Sequence, residues 1–417
     1  MVNISSLHRH AQASLLKGPL AEYVDEYVAR LKLGRYATNT VSLRLGAIAH
    51  FAHWMSSCSL HANQLDEGCI DQFFRYHLPR CDCQNEAVRT PRDLRAALLA
   101  LLAQLRQQHV IKQLASASGP IADELRRYDA HMRDAQGLAS GTRQDRLSIV
   151  QRLLQSKFAG REVVIGELRP EDIRCFIGEE RKLLGTTSHA GTLAWALRAY
   201  LRYRASFGDT VQPLLAAIST PACWGQTSLP KGLTAAEVER LLGSFTDAQP
   251  SPKRGYAIVR LALDLGLRGG EIAQLQLADI DWRQGTLTLK HTKSGRQEVM
   301  PLPSMTGRAL ETYLRKERPK TSNHALFVRH IAPYDQPIGV DGIRRVVRNA
   351  FRRIGIQHGR MHALRHTLAC KLVNRGSSIK EIADVLRHSS LNTSLIYAKV
   401  DYQALFEVAL PWPGSAA

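Results

Sequence analysis

Acidic residues are scarce in this 417-residue sequence, in which 37 Asp and Glu stand against 56 Lys and Arg and leave a formal net charge of +19. A basic surplus of this size is typical of a protein with a polyanionic partner, because each phosphate that it neutralises releases condensed counterions. Long apolar runs are also missing. No stretch approaches the ~20 residues that span a bilayer, and the first residues contain no continuous apolar segment of the kind found in signal peptides. We therefore expect a nucleic acid rather than a membrane as partner, and a cytoplasmic, nucleoid-associated location.

Cysteine is sparse too, with seven residues at irregular spacing, which is typical of free thiols in a reducing compartment. His77, Cys81 and Cys83 cluster in the stretch HLPRCDC, but a metal site normally needs a fourth ligand at a recognisable spacing. Cys58 or Cys69 could supply that ligand, yet the spacing favours neither, so we expect ordinary thiols and no metal. The sequence also lacks a P-loop and a GxGxxG motif, so we expect no nucleotide and no other cofactor.

The first half of the sequence contains two similar segments, offset by 101 residues at their start and 103 at their end. Each segment opens with Gly-Pro before an amphipathic helix, continues through a Thr at a predicted N-cap and an Arg-Leu pair in a second helix, and ends in Leu-x4-Ile-x2-Phe. This shared order favours a duplication over a chance likeness between two amphipathic bundles. The residues are Gly18-Pro19, Thr40, Arg44-Leu45 and Leu65/Ile70/Phe73, and then Gly119-Pro120, Thr142, Arg146-Leu147 and Leu168/Ile173/Phe176.

The chain is long enough for two or three domains. A stretch rich in Pro, Ser and Gly predicts a linker at 219–231, after which a capped helix starts near Thr234. Period-two alternation over 286–289, a polar turn at 292–295 and a short strand at 298–300 predict a β-hairpin within an otherwise helical half. We therefore predict a mainly α fold with a small β-sheet (α+β). Its parts are helical units at 1–112 and 113–218, the linker, a catalytic domain at 232–404 and a tail at 405–417.

Four stretches of the C-terminal half carry residues suited to phosphoryl transfer at a diester. Arginines at 268 and 365 offer forked, permanently charged donors that match phosphate geometry. A lysine in the hairpin turn can protonate a leaving oxygen, and histidines titrate close enough to neutrality to exchange protons. A tyrosine is a weak nucleophile that needs such neighbours. The stretches are GLRGGE (266–271), Lys293, HALRH (362–366), and His388 with Tyr397.

The order of these motifs, GLRxGE, TKxGR in a hairpin, HxLRH, and LRH followed nine residues later by Tyr, resembles the tyrosine recombinase (phage integrase) family over about 233–400. The two N-terminal segments look like that family's helical core-binding domain, of which members usually carry one. The resemblance implies phosphate binding by Arg268 and Arg365, general acid catalysis by Lys293, two phosphate-site histidines in His362 and His388, and nucleophilic attack by Tyr397.

The resemblance also implies lesser roles and leaves some positions open. Glu271 matches an acidic position of the family and would give structural support. Apart from the resemblance, we expect His366 to be a structural hydrogen bonder rather than a catalyst. Lys290 is a rival for the role of Lys293, which we prefer because it follows Thr292 at the turn. The glycine that often precedes the second histidine in the family is Arg387 here, which we interpret as a tolerable change at a helix end.

Nine basic residues and one acid, Asp341, lie between Gly339 and Gly376, which favours contact with the DNA backbone over a merely solvated face. We expect double-stranded DNA as partner and a homo-tetramer on it, alone or with related recombinases, with the tail docking on a neighbouring subunit. A type IB topoisomerase, a catalytically silent DNA-binding regulator and a membrane-surface protein are the alternatives. The predicted DNA contacts are Arg344, Arg345, Arg348, Arg352 and Arg353.

Overall fold

The computed structural model describes residues 7–83, 90–112, 119–184, 187–219, 232–290, 297–357, 359–388 and 390–400. These residues form two compact units: those within 112–227 make one, and those within 1–111 together with 228–417 make the other. Helices dominate both units, and the second contains a three-stranded sheet, which confirms the predicted fold class. Over the same ranges we find no helix with the length and apolar character needed to cross a membrane.

The N-terminal bundle occupies the described part of 7–111 and has its own hydrophobic core. Its third helix is the most apolar and buries residues on every turn, including Leu45, Ile48 and Phe51, and the first and fifth helices pack against it. The helices are α1 (Arg9–Lys17), α2 (Ala21–Leu33), α3 (Thr38–Ser57), α4 (Glu67–Gln72) and α5 (Pro91–Gln107), with a 3-10 turn at Ala62–Gln64 and a π-helical turn at Phe73–His77.

The described residues of 119–218 form a second helical bundle with a separate core. Glu124 is fully buried there, and it accepts hydrogen bonds from the Tyr200 hydroxyl (2.9 Å) and from Arg204 (3.0 Å), which compensate its charge. The helices are α6 (Pro120–Asp134), α7 (Ser140–Phe158), α8 (Pro170–Leu184), α9 (Thr187–Ala205) and α10 (Gln212–Ala217), with a 3-10 turn at Ile165–Glu167.

The two bundles share the order of their elements, in which two helices are followed by a 3-10 turn and a further helix. The matching Leu, Ile and Phe side chains of both segments are buried in the respective cores. The predicted N-caps were wrong, because α3 and α7 begin two residues before Thr40 and Thr142. Alanines precede both helices without a side-chain cap, and water can satisfy the free N–H groups of an exposed first turn. The duplication itself stays a prediction that the shared order supports.

The C-terminal part is built on α12, a largely buried helix that packs against four others. Its elements are α11 (Ala235–Gly243), α12 (Pro252–Asp264), α13 (Gly269–Gln274), β1 (Ile280–Asp281), β2 (Thr286–Leu289), β3 (Glu298–Pro301), α14 (Ser304–Lys316), α15 (Val340–Arg353), α16 (Met361–Val373) and α17 (Ile379–Val385), then 3-10 turns at Leu391–Thr393 and Leu395–Val400.

Local sequence signals account for several of these elements. Thr234 caps α11 through a reciprocal capping box with Glu237, as the sequence predicts. Strands β2 and β3 pair antiparallel with Leu287 opposite Met300, which confirms the predicted hairpin strands. The turn that joins them, 291–296, lies outside the described residues, as do the predicted linker from 220 onward and the tail from 401 onward.

Candidate active site

Arg268 is held at the start of α13 by Glu271. Gly266, which has a left-handed backbone (φ +60°), ends the preceding helical segment and turns the chain toward α13. The Glu271 carboxylate accepts one hydrogen bond from the Arg268 backbone N–H (2.8 Å) and one from its guanidinium (2.7 Å). Burial by itself would raise the pKa of Glu271, but these hydrogen bonds and the nearby Arg387 and Arg268 charges lower it. Glu271 is therefore ionised and fixes the direction of Arg268.

Arg365 lies on α16 and is almost completely buried, with 4% of its surface exposed. Its guanidinium donates to the carbonyl oxygens of Gly266 and Leu386, which come from two different loops. Burial, with the like charges of Arg268 and Arg387 nearby, lowers the pKa of Arg365 to about 9, so the group stays charged at pH 7. Two carbonyls from separate segments leave the guanidinium little rotational freedom, which is the preorganisation that a phosphate site requires.

Arg387 is part of this arginine cluster, which the sequence did not lead us to expect. The interpretation of Arg387 as a tolerable change at a helix end was incomplete, because its side chain is 3% exposed and lies at the centre of the site. It donates to the carbonyl of Gly266 (3.2 Å) and lies 3.3 Å from a Glu271 oxygen. Its own backbone is left-handed (φ +54°), the conformation that glycine adopts most easily.

The three guanidiniums of Arg268, Arg365 and Arg387 therefore share a small space with one buried carboxylate, Glu271. Glu298, at the rim, lies 3.8 Å from Arg387. Within the described residues, the positive charge of this cluster exceeds the negative charge. A bound anion would relieve the mutual repulsion of the arginines, so the electrostatics favour an anionic group such as a phosphate diester.

An open cleft of about 1000 Å³ lies over Arg268 and Arg365. Its walls come from α13, α15 and the start of α16, and its polar lining is dominated by arginine. His362 faces this cleft, and burial lowers its pKa, with Arg365, Arg268 and Arg344 adding to the effect. The remaining polar residues that line the cleft are Glu271, Gln274, Arg344, Arg348, Gln357 and Arg360.

Tyr397 lies in the 3-10 turn after α17 and is packed against α16. Its ring is 1% exposed, and its hydroxyl shares a 2.7 Å hydrogen bond with Nδ1 of His366. Burial raises the pKa of Tyr397 to about 12, although the charge of Arg365 acts in the opposite direction. The phenol is therefore protonated at pH 7, and it can donate to the tautomer of His366 that leaves Nδ1 without a proton. The pKa of His366 is lowered by burial and by the neighbouring His362 and Arg365.

His388 stacks parallel to Tyr397, with ring centroids 6.5 Å apart and an interplanar angle of 8°. Its Nδ1 lies 2.6 Å from the Ser394 hydroxyl, which orients the imidazole. Burial and the charges of Arg365 and Arg268 lower the pKa of His388 to about 4, so the ring is neutral at pH 7. Ser394 is a site residue that the sequence did not predict, since no local pattern relates it to His388.

The structure thus brings together Arg268, His362, Arg365, His388 and Tyr397, five of the six predicted catalytic residues. Arg268 and Tyr397 both lie close enough to Arg365 to influence its pKa. The sixth, Lys293, lies outside the described residues. Its rival Lys290 forms a 2.6 Å ion pair with Asp279, which is buried beside β2. Lys290 is therefore engaged in a contact within the fold.

The predicted DNA-contacting arginines all lie on the exposed face of α15, whose other face is buried through Ile343, Val347, Ala350 and Phe351. They do not share one environment. Arg344 and Arg348 line the cleft, whereas Arg353 packs over the Phe245 ring (4.7 Å) and donates to Ser244. Arg360, which was not among the predicted contacts, also lines the cleft.

The part of the chain that contains the cleft matches a known protein family. The model of the phage integrase family matches residues 231–404. An integrase/recombinase of Sinorhizobium fredii (strain NBRC 101917 / NGR234) is 32% identical over 405 residues, which cover 96% of this chain and 96% of that protein. The tyrosine recombinase XerA of Pyrococcus furiosus is 32% identical over 181 residues, which cover 43% of this chain and 61% of XerA.

Solved structures show the same fold at lower identity. XerH recombinase bound to a palindromic difH substrate covers 79% of this chain and 91% of its own, with a TM-score of 0.53 and 19% identity. A lambda integrase dimer bound to a COC′ core site covers 66% of this chain and 94% of its own, with a TM-score of 0.51 and 17% identity.

The fold and the sequence relatives together define the class as tyrosine recombinases, enzymes of site-specific DNA recombination. The chain belongs to the phage integrase family, as its identity with the Sinorhizobium protein over nearly the whole length of both chains shows.

Proposed function

We propose that this enzyme cleaves and rejoins double-stranded DNA at specific sites through a 3′-phosphotyrosyl intermediate, as a recombinase or integrase. One observation carries the proposal. Two guanidiniums, those of Arg268 and Arg365, are fixed at a basic cleft, while the phenol of Tyr397 lies near Arg365 with a histidine at hydrogen-bond distance. This is the set of groups that ester exchange at a phosphodiester requires.

The reaction would begin when the Tyr397 oxygen attacks the phosphorus and the bond from phosphorus to the 5′ oxygen breaks. The phenolic proton would pass to His366, whose Nδ1 lies 2.7 Å from the Tyr397 hydroxyl. Lys293 would protonate the leaving 5′ oxygen. Arg268 and Arg365 would stabilise the charge that develops on the non-bridging oxygens, and His362 and His388 would flank the phosphate.

Rejoining would reverse these steps with the 5′ hydroxyl of a second DNA. One phosphate ester is exchanged for another, so the bond energy is conserved and no ATP is needed. The proposed transition-state stabilisation comes from fixed guanidiniums and requires no metal ion. By analogy with the family we also propose four protomers on two duplexes, with the tail at 405–417 docking between subunits, and hence a location on the nucleoid.

A suicide substrate with a nick near the scissile phosphate tests the proposal, because loss of the short 5′ fragment traps the covalent complex. We expect wild type to form an adduct that survives denaturation, and Tyr397→Phe to form none while its DNA affinity stays within about two-fold, since only the nucleophilic oxygen is removed. Tyr256→Phe, a change at a partly buried tyrosine that packs against the core of the same domain, is the matched control and should form the adduct normally.

Undiminished adduct formation by Tyr397→Phe would refute the assignment of the nucleophile. Sequencing the trapped fragment identifies the target site. Relaxation of a supercoiled plasmid without a partner site, and without tetramers in mass photometry, would instead indicate the topoisomerase alternative. DNA binding without any adduct from wild type would indicate the catalytically silent regulator.

A further inference from the structure

Four metal-binding side chains converge in the N-terminal bundle, away from the cleft residues. They are His50 on α3, His77 at the end of the π-helical turn, and Cys81 and Cys83 in the segment that follows. One ligand atom from each of the four lies within 4.8 Å of all the others. The sequence suggested Cys58 or Cys69 as a fourth ligand, whereas the fold supplies His50. We propose that these four residues bind a structural Zn²⁺ ion.

The distances between the ligand atoms match those of a tetrahedral site. Zn–N bonds of about 2.0–2.1 Å and Zn–S bonds of about 2.3 Å place two nitrogens roughly 3.3 Å apart and a nitrogen and a sulfur roughly 3.6 Å apart. Here the Nε2 atoms of His50 and His77 are 3.2 Å apart, and the Cys83 Sγ is 3.5 Å from the Nε2 of His77. In these two pairs the atoms are therefore spaced as corners of one coordination tetrahedron, and the Cys81 Sγ lies within 4.8 Å of each of them.

The surroundings position both imidazoles without using the nitrogens that would bind the ion. His50 is 5% exposed and packs edge-on against Phe73, while His77 stacks on the same ring at 5.2 Å. A π-helical turn, formed by the backbone bond from Leu78 N–H to the Phe73 carbonyl (2.8 Å), ends the helix at this point. Such turns occur frequently at functional sites, because the extra residue changes the direction of the side chains that follow.

The donor set also fits zinc by charge. On binding, Cys81 and Cys83 would each lose the thiol proton to solvent, and two thiolates would neutralise the two positive charges of the ion. Neutral imidazoles complete the set, so the filled site carries no net charge and suits a half-buried position next to aromatic rings. A tetrahedral N₂S₂ set favours Zn²⁺ over the oxygen-preferring Mg²⁺ and Ca²⁺.

Four protein ligands leave no position for water or substrate, so the site would be structural rather than catalytic. The ion would join α3 to the segment after α4, because His50 lies on α3 and His77 follows it 27 residues further along the chain. Among the described residues, that segment is also held by the contact of the Cys81 thiol with the Leu78 carbonyl (3.6 Å) and by the backbone bond from Arg80 to His77 (3.0 Å). The ion would therefore fix the end of the bundle next to Phe73.

Elemental analysis of the full-length protein tests the proposal without any assay of recombination. Protein purified without chelators should contain about one zinc per chain, and the double variant Cys81→Ser/Cys83→Ser less than about a tenth of that, because half of the ligands are removed. The matched control is Cys58→Ser/Cys69→Ser, two thiols of the same bundle outside the cluster, which should keep the full zinc content.

Cobalt substitution provides a readout that does not depend on how well a variant folds. Wild-type protein reconstituted with Co²⁺ should show the visible bands of a tetrahedral site and the near-ultraviolet thiolate-to-metal charge transfer. Absence of both zinc and these bands from wild type would overturn the proposal. Equal zinc content in wild type and in Cys81→Ser/Cys83→Ser would overturn it as well, and neither result bears on the role of Tyr397.

Discussion

The Tyr397 hydroxyl and Nδ1 of His366 share a hydrogen bond. His366 is therefore the residue in position to take the proton of the nucleophile. Burial raises the pKa of Tyr397 to about 12, so a phenolate does not form by itself at pH 7. His366 is neutral because burial lowers its pKa, and a neutral imidazole nitrogen can accept that proton. The residue that the sequence suggested as merely structural is thus the nearest acceptor for the nucleophile.

We predict that His366→Phe slows DNA cleavage at pH 7 by about 10²-fold, the usual contribution of a positioned general base. The aromatic ring preserves the packing but removes the acceptor, so DNA affinity should not change. Because burial lowers the pKa of His366 from the ordinary histidine value of 6.5, the wild-type cleavage rate should fall only below that pH, where His366 gains a proton and can no longer accept one. The cleavage rate of His366→Phe should not show the decrease that protonation of His366 causes in wild type.

Single-turnover cleavage of the nicked substrate across about pH 5 to 8, the range over which histidines titrate, measures both effects. His324→Phe, at an exposed position of the same domain, is the matched control and should follow wild type. Equal rates of His366→Phe and wild type at pH 7 would show that the proton leaves by another route.

Sequence motifs indicate individual reactive residues better than the partners of those residues. Arg268, His362, Arg365, His388 and Tyr397 belong to short ordered motifs, so their types and spacing were enough to select them. The partner of Tyr397 is 31 residues away on another element, and the buried position of Arg387 depends on carbonyls 121 and 122 residues distant. Contacts of this kind arise only from tertiary packing, which no local pattern encodes.

At the scale of elements, sequence signals were reliable where the chemistry is local. The capping box of α11 and the alternation of β2 and β3 both depend on neighbours within a few residues, and both predictions were confirmed. Strand β1 was missed, because two residues are too short to show a period and its pairing with β2 is set by the fold. Thr40 and Thr142 were misassigned as caps because a threonine near a helix start also fits inside the first turn.

The break between α12 and α13 offers a second prediction, since Gly266 combines a left-handed backbone (φ +60°) with close packing. A Cβ at this position would lie 2.9 Å from Leu386 Cδ2 and 3.0 Å from Leu368 Cδ2, and the Gly266 carbonyl accepts from Arg365. We expect Gly266→Ala to lower the free energy of unfolding by about 2–3 kcal/mol, the sum of backbone strain and displaced side chains. The rate of DNA cleavage should also fall, because Arg365 would shift together with the Gly266 carbonyl that accepts its hydrogen bond.

Gly285→Ala is the matched control, because Gly285 has nearly the same backbone (φ +63°), but among the described residues no atom lies within 4 Å of where its Cβ would be. It should lower the free energy of unfolding by only about 1 kcal/mol, the cost of the left-handed backbone alone, and leave cleavage unchanged. Urea titrations of both full-length variants provide the comparison. If both variants lost the same free energy of unfolding, the side chains around Gly266 would make room for a Cβ without loss of stability.

At the scale of the whole molecule, the ordered motifs were enough to predict the family, and the periodicity was enough to predict a mainly helical fold. The grouping of the chain into compact units was not predictable in the same way. Residues within 1–111 belong to one unit with those of 228–417, and contacts such as that of Arg35 with the Lys320 carbonyl (3.3 Å) join them. Sequence order places these segments far apart, and only the folded chain brings them together.

The basic surplus of the chain leads to the last prediction, because the position of a charge decides whether it contributes to DNA binding. Arg344 and Arg348 line the cleft, whereas Arg353 packs over Phe245 on the same helix. Each phosphate contact contributes about 0.9 to the slope of log affinity against log salt concentration. Arg344→Ala/Arg348→Ala should therefore reduce that slope by about 1.8 and weaken binding to all sequences alike.

Arg353→Ala, which removes one charge of the same helix, should leave the slope within about 0.3 of wild type, because its guanidinium is occupied within the fold. Fluorescence anisotropy with labelled duplexes over a salt series measures both slopes. If Arg353→Ala changed the slope as much per charge as the double variant does, net charge rather than the cleft would govern DNA binding.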